Sequence, residues 1–311
     1  MYKIKYLDIF ASEIAEFLGL KLIGKDFVVK YPSSVNNFGN KAFLYLSEND
    51  TIPEKKIKRH KDVLILTAKK LSSKHDGLSY IIVDNPRVKF INVLNEFFVE
   101  YDSVVISPSA KIDANARIGY GVSIGENTVI GPEVIIGNNS RIMNNVVITG
   151  RVRIGNNCFI KHNSTIGSTG YDFELDEDGK LIHFPHVGKI SIGDNVWIGA
   201  NTCIESSAID DTVIEDNVKI DDLVQIGSNC VVKKGTMITA GAIISRQVVI
   251  GRHCLIAPNA SIRDSVLIGN NVTIGIGAVV IRDLKDNGVY AGNPARLLRK
   301  RKEEQQSHDK K

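Results

Sequence analysis

IGYGVSIGENTVIGPEVIIGNNSRIMNNVVITGRVRIGNNCFI, residues Ile118–Ile160, carries an isoleucine at every sixth position. The beat extends back to Ile112 and Ile106 and forward to Ile166. It returns at Ile192 and Ile198, then runs from Ile214 to Val280. A small residue (Val, Ser, Thr, Ala or Cys) sits four places after most of these aliphatics, and Gly, Asn or Asp fills many positions between. A fixed short period marks a solenoid, whose units bury their apolar residue only by stacking on neighbours. Six residues match one short strand and a turn, so three units close a triangular coil. The aliphatic and the small residue point inward, and Gly, Asn and Asp supply the turn conformations. About eight coils at a strand spacing of ~4.8 Å give a prism roughly 40 Å long.

The chain has 311 residues and a formal charge of +4, much of it in RLLRKRK near the C-terminus, too mild and local to indicate nucleic acid. No stretch approaches the length of a membrane-spanning helix, and no signal-peptide pattern follows Met1, so a soluble, cytoplasmic protein without membrane insertion is expected. Of the four cysteines, Cys158, Cys230 and Cys254 occupy the small inward slot and Cys203 does not. Their spacing is not that of a metal site, and no metal is expected.

Three segments follow. Residues 1–104 lack the beat and read as a small α/β domain, with helices in LDIFASEIAEFLGL and NPRVKFINVLNEFF and short strands in KLIGK, AFLYLS, DVLILTA and YIIVD. Residues 105–285 form the solenoid, and residues 286–311 a C-terminal segment ending in a short helix or tail. The fold class expected is mainly β: a parallel β-helix behind a small N-terminal α/β domain. The beat breaks over 171–189, YDFELDEDGKLIHFPHVGK, a loop ejected from a rigid scaffold and therefore a functional candidate. A second irregularity lies between Ile204 and Ile214, ten residues where two units need twelve, which reads as a shortened turn.

The repeat resembles the left-handed β-helix of the hexapeptide-repeat acyltransferases, and the left hand comes from that resemblance, since crossover rules favour the right. The whole chain resembles one branch, the UDP-3-O-acylglucosamine N-acyltransferases of lipid A synthesis. The likeness rests on NPRVKFINVLNEFF, on the loop with its late FPHVG, and on CIESSAIDDTVIEDNVKIDDLVQIGSNC. It implies a nucleotide contact near Phe43 or Tyr45. It also implies substrate contacts from the loop aromatics Tyr171 and Phe173 and from Gln225, Ser228 and Asn229.

The departures are as informative. Ser228 stands where that family has its catalytic His, and Ser265 replaces a second His. The backbone position that donates to the oxyanion falls on Arg246. The end, IGAVVIRDLKDNGVYAGNPARLLRKRK, resembles the acetyl-CoA-dependent sugar acetyltransferases, whose AGNPA segment lines the CoA groove. Arg246, Ala291, Gly292, Arg296, Arg299 and Lys300 are therefore candidate cofactor contacts, with Gly292 admitting pantetheine and the cations meeting phosphates.

An amine attacking a thioester needs a route for its proton. Ser228 cannot provide one unaided, so His186, His162 and Asp222 are the candidates. His253 faces outward at a turn, while His60, His75 and His308 sit in polar surroundings. The expected function is transfer of an acetyl or short hydroxyacyl group from acyl-CoA to the amine of a nucleotide-linked amino sugar, for surface polysaccharide. A homotrimer is the expected assembly. The alternatives are the lipid A N-acyltransferase, using acyl carrier protein, and a non-catalytic sugar- or CoA-binding relative. A three-His metal hydrolase cannot be assembled from the available spacings.

Overall fold

The computed structural model describes residues 2–5, 8–47, 50–52, 54–71, 78–101 and 103–301. His75 and His308 lie outside them. The chain divides into two compact units, Met1–Ser103 and Val104–Lys311.

In the N-terminal unit, Tyr31–Pro32, Ala42–Tyr45, Leu64–Thr67 and Ser79–Ile82 form a four-stranded parallel sheet in chain order. A single helical turn, Glu54–Ile57, and two longer helices, Ala11–Phe17 and Pro86–Val93, complete it. The second starts where Asn85 accepts a hydrogen bond from the Val88 N–H at 3.2 Å with Pro86 in the first turn. It continues as a π-helical turn, Leu94–Phe98. The KLIGK stretch contributes one bridge, Ile23 to Tyr80, rather than a strand.

The second unit is a parallel β-helix. Its three sheets contain eight, ten and nine strands, and consecutive strands of the chain rotate through the three. Each strand is short because a turn must follow within the six-residue repeat. Strand partners are normally eighteen residues apart, as Ile124 with Ile142 and Ile142 with Ile160. Inward isoleucines therefore stack in columns, and nearly all are below 5 % exposed. Each contributes about 1.5–3 kcal/mol relative to exposure.

The small fifth-place residues are buried as well, and their chemistry explains why polar ones are tolerated. The hydroxyls of Thr128, Ser140, Ser164, Thr202 and Thr236 each donate to a corner carbonyl of the next coil, at 2.6–3.0 Å. Cys158, Cys230 and Cys254 occupy the same slot, with Sγ 3.0–3.1 Å from the equivalent carbonyls. The buried slot thus demands small volume and, where polar, a donor. At the corners, Asn127, Asn139, Asn145, Asn157 and others adopt positive φ near 55–61°. This is the left-handed conformation that Asn tolerates better than most side chains.

Two sequence expectations are corrected here. The step from Ile204 to Ile214 joins neighbouring sheets and not alternate ones, because Ile204 pairs with Ile166 and Ile226 while Ile214 pairs with Ile192 and Val232. One side of the coil, normally six residues, is thus lengthened to ten rather than two sides being shortened. At the C-terminus, Arg296–Lys300 is a strand, not a helix, antiparallel to Gly288–Ala291 on the last coil. Residues 302–311 lie outside the described residues.

Candidate active site

The two irregular spacings fall at one place. The steps Ile166 to Ile192 and Ile204 to Ile214 both cross from the third sheet to the first, on successive coils. Below them on the same corner lie Gly227–Asn229 and then Ser245–Gln247. A single edge of the prism therefore carries the ejected loop, the lengthened corner and the QIGSN segment.

The loop is a hairpin, Phe173–Leu175 against Leu181–His183. Its base is tied down the edge by an ion pair between Asp172 and Arg246, 2.8 Å. Its rings form a row: Tyr171 to Phe173 at 5.1 Å, Phe173 to His183 at 5.1 Å, and His183 to His186 at 5.5 Å. Tyr171 is 86 % exposed and Phe173 is partly exposed, so both are available to a ligand. A cleft of about 220 Å³ lies along the hairpin between Leu175, Ile182, Phe184 and Pro185.

His186 closes the hairpin over Gly170. Its Nδ1 is 2.8 Å from the Phe184 carbonyl. A carbonyl only accepts, so Nδ1 carries the proton and Nε2 of the neutral ring is a bare acceptor. That Nε2 is closed off from solvent and has no hydrogen-bond partner. A Cβ at Gly170 would sit 2.6 Å from it and 3.0 Å from Glu205 Oε2, so glycine alone lets the backbone pass between the two groups.

Glu205 escaped the sequence reading. It follows the inward Ile204 and so points away from the core, beside the partly exposed Cys203 on the same strand. Gln225 Nε2 donates to its Oε1 at 2.8 Å and the Ser228 N–H to its Oε2 at 3.2 Å. Burial pushes its carboxyl above the usual range, opposed by the Ser228 and Gln225 hydrogen bonds and by His186. The signal available in the sequence was a lone carboxylate opening the irregular corner, on the coil above QIGSN.

The candidates divide by location. Gln225 and Ser228 join Glu205 and His186. Asn229 is a turn residue of the same edge, with φ 61° and its N–H donated to Ser207 and Thr212 hydroxyls. Its side chain accepts from the Ala208 N–H. His162 and Asp222 lie at the other end of the third sheet, after strands of the second. His162 Nδ1 accepts from the Asn144 N–H at 3.2 Å, a position filled by Asn in neighbouring coils. Asp222 accepts from Lys161 and from the Ala200 N–H. The Lys161 hydrogen bond holds its carboxyl below the usual range, the reverse of what a proton acceptor needs.

Phe43 is fully buried, stacked on Phe90 at 4.7 Å and Phe98 at 6.1 Å. It is a core residue and does not face a nucleotide. Tyr45 packs on Phe90 at 5.0 Å but is only partly buried. Arg246 is separated from Gly292 by two intervening strands of the third sheet, three spacings or about 14 Å. Its side chain is occupied by Asp172. Arg296, Arg299 and Lys300 are exposed on the terminal hairpin, and Gly292 has φ 95°. No helix of the described residues is long and apolar enough to cross a membrane.

Comparison with known proteins supplies the lineage. The model of the bacterial transferase hexapeptide (six repeats) matches residues 133–168, 211–246 and 247–282. That of the hexapeptide repeat of succinyl-transferase matches 115–150 and 189–221. Over 56 residues the chain is 39 % identical to the UDP-3-O-acylglucosamine N-acyltransferase of Aromatoleum aromaticum, covering 18 % of this chain and 17 % of that one. Over 60 residues it is 38 % identical to the enzyme of the same name from Coxiella burnetii, covering 19 % and 18 %. The matched stretch thus spans less than a fifth of these curated relatives.

Among solved structures, LpxA of Acinetobacter baumannii aligns with a TM-score of 0.56 and 25 % identity, over 62 % of this chain and 72 % of that one. LpxA of Bacteroides fragilis, a UDP-N-acetylglucosamine acyltransferase, gives 0.55 and 25 %, over 62 % and 73 %. The coils, the repeats and these likenesses agree: the chain is a hexapeptide-repeat protein with a left-handed β-helix, and it resembles the lipid A acyltransferases.

Proposed function

We propose that the protein is an acyltransferase that moves an acyl group from a thioester to the amine of a nucleotide-linked amino sugar. The observation that carries this reading is the single prism edge where the hairpin, Glu205, Gln225 and Ser228 converge. It offers a partly buried polar cluster beside exposed aromatic rings, as needed to hold a sugar while excluding water from a thioester. The Arg246 N–H, which meets no acceptor among the described residues, lies on the same edge. It is a candidate oxyanion donor, and a Cβ at Gly227 would block it at 2.8 Å.

Acyl-CoA is the proposed donor, with its phosphates met by Arg296, Arg299 and Lys300 and its pantetheine passing Ala291 and Gly292. Tyr45 is the proposed N-terminal contact to the nucleotide. The product feeds surface polysaccharide, and the assembly is a homotrimer. An apolar outward stripe on the first sheet (Val213, Val231, Val249, Leu267) supports self-association. The mass in solution tests it, and a monomer would refute it.

A second reading has its own support in the activity that names the curated relatives: N-acylation of a UDP-3-O-acylglucosamine. Acyl carrier protein would then be the donor. The deciding experiment offers acetyl-CoA with UDP-, dTDP- and GDP-linked amino sugars, and hydroxyacyl carrier protein with UDP-3-O-acylglucosamine, following thiol release. Turnover in the first set supports the CoA reading. Turnover only in the second replaces it, and turnover in neither refutes acyl transfer.

A further inference from the structure

We propose that Glu205 is the base that takes the proton from the attacking amine, with His186 behind Gly170 as a positioning residue. The inference rests on the acyltransferase reading. It reverses the roles expected from residue type, because His186 Nε2 is closed off from solvent whereas Glu205 is partly exposed.

Gln225 and the Ser228 N–H use one acceptor site on each Glu205 oxygen and leave the others open. Gly170 lets His186 approach from the buried side. The Phe184 carbonyl fixes the His186 tautomer so that a lone pair, not an N–H, faces the carboxylate. Nε2 makes no hydrogen bond to the carboxylate, from which the Gly170 backbone separates it.

The step balances. The amine nitrogen attacks the thioester carbonyl, a C–N bond forms, and the carbonyl electrons move to oxygen. Glu205 removes a proton from nitrogen. The C–S bond then breaks, and the departing thiolate takes up that proton, giving amide and free thiol.

The other ionisable groups around the pair are few. His183 stacks on His186. Cys230 lies below Glu205, its thiol pushed up to about 12 by burial. Asp172 and Arg246 neutralise one another at the hairpin base. His183 Nε2 also lies 3.2 Å from the Gly170 carbonyl, and the partly exposed Cys203 stands on the Glu205 strand.

The test uses the full chain and three variants: Glu205→Gln, His186→Gln and Gly170→Ala. Glutamine at 205 keeps an oxygen for the Ser228 N–H, so folding should survive, and the thermal midpoint checks this. With the amino sugar that the wild type accepts, Glu205→Gln is expected to lower kcat/KM roughly 100-fold and to abolish the acid limb of the pH profile. His186→Gln and Gly170→Ala should keep that limb but shift it. Nitrogen NMR of His186, without substrate, should show its Nε2 resonance displaced in Glu205→Gln.

A Glu205→Gln enzyme within about threefold of wild type, or with an unchanged acid limb, overturns the base role. An unmoved His186 resonance overturns the positioning role even if the enzyme is active. A wild type inactive toward every amine sinks the acyltransferase reading and the base role with it. The NMR result then still reports separately whether the two side chains are neighbours.

Discussion

Lys161 and Asp222 stand two coils apart on one corner and meet in an ion pair of 2.5 Å that spans the intervening Ala200. The pair clamps three successive coils, which explains why Asp222 is held below the usual carboxylate range. A depressed folded value gives stability that is present above the unfolded pKa and lost as pH falls through the folded one. Both side chains are partly exposed, at 28 % and 39 %, so solvent screening limits the worth to about 1 kcal/mol or less. Asp222→Asn is therefore expected to lower the unfolding free energy by that amount at pH 7. The difference should shrink below about pH 4. Its kcat should stay within about threefold of wild type, because the residue is remote from the Glu205 edge. Denaturant titrations at pH 7 and pH 3 with parallel assays check both, and a large loss of kcat would restore Asp222 as a catalytic candidate.

The cysteines should divide three to one. Burial raises the thiols of Cys158, Cys230 and Cys254, all three also donating to corner carbonyls. Thiolate, not thiol, is the nucleophile. Cys203 is the partly exposed one, on the outer face beside Gln225. A disulfide reagent at pH 8 should titrate one thiol rapidly in the native protein and all four after denaturation. If Gln225 and Cys203 line the substrate site, the amino sugar nucleotide should slow the single native reaction.

Phe43 tests the N-terminal core. It is wholly buried between Phe90 and Phe98, so Phe43→Ala should cost about 3–5 kcal/mol. The unfolding transition of the N-terminal unit should move to lower denaturant, while that of the β-helix stays. Tyr45→Ala should cost less stability and, if Tyr45 touches the nucleotide, raise the KM for the acceptor. Equal effects of the two substitutions on KM with no stability difference would place Phe43 at the surface after all.

The solenoid was legible because its constraint is local and repeated. Each inward isoleucine, each small fifth-place residue and each corner Asn obeys the same steric rule, so the pattern reports it many times over. Glu205 was not legible for the opposite reason. It stands once, outside the beat, and matters only because Gly170 and His186 reach it from the coil above and Gln225 and Ser228 from the coil below. The ten-residue step also has two readings on paper, two sides short by two or one side long by four. Only strand register separates them. His162 and Asp222 have suitable chemistry, but linear spacing does not say which of three corners a residue occupies. Phe43 illustrates the same limit within the N-terminal unit: its strand is buried on both faces, Phe43 in one apolar cluster and Leu44 in another, and a short aromatic strand does not disclose that.

Arg246 carries the last prediction, since sequence and structure give it different partners. The resemblance set it among residues that receive CoA, but the structure pairs it with Asp172, on the hairpin base. If the tether is its role, Arg246→Ala and Asp172→Asn should each loosen the hairpin, and the double variant should be no looser than either. Limited proteolysis between Phe173 and His183 reads this directly, and salt should mimic the substitutions, because the pair is partly exposed and screened. The coupling measured in the cycle should be about 0.5–1 kcal/mol. The KM for acyl-CoA should change less than about twofold in Arg246→Ala, while Arg299→Ala with Lys300→Ala should raise it severalfold through lost phosphate contacts. A large donor KM effect from Arg246→Ala, with hairpin proteolysis unchanged, would return Arg246 to the donor site.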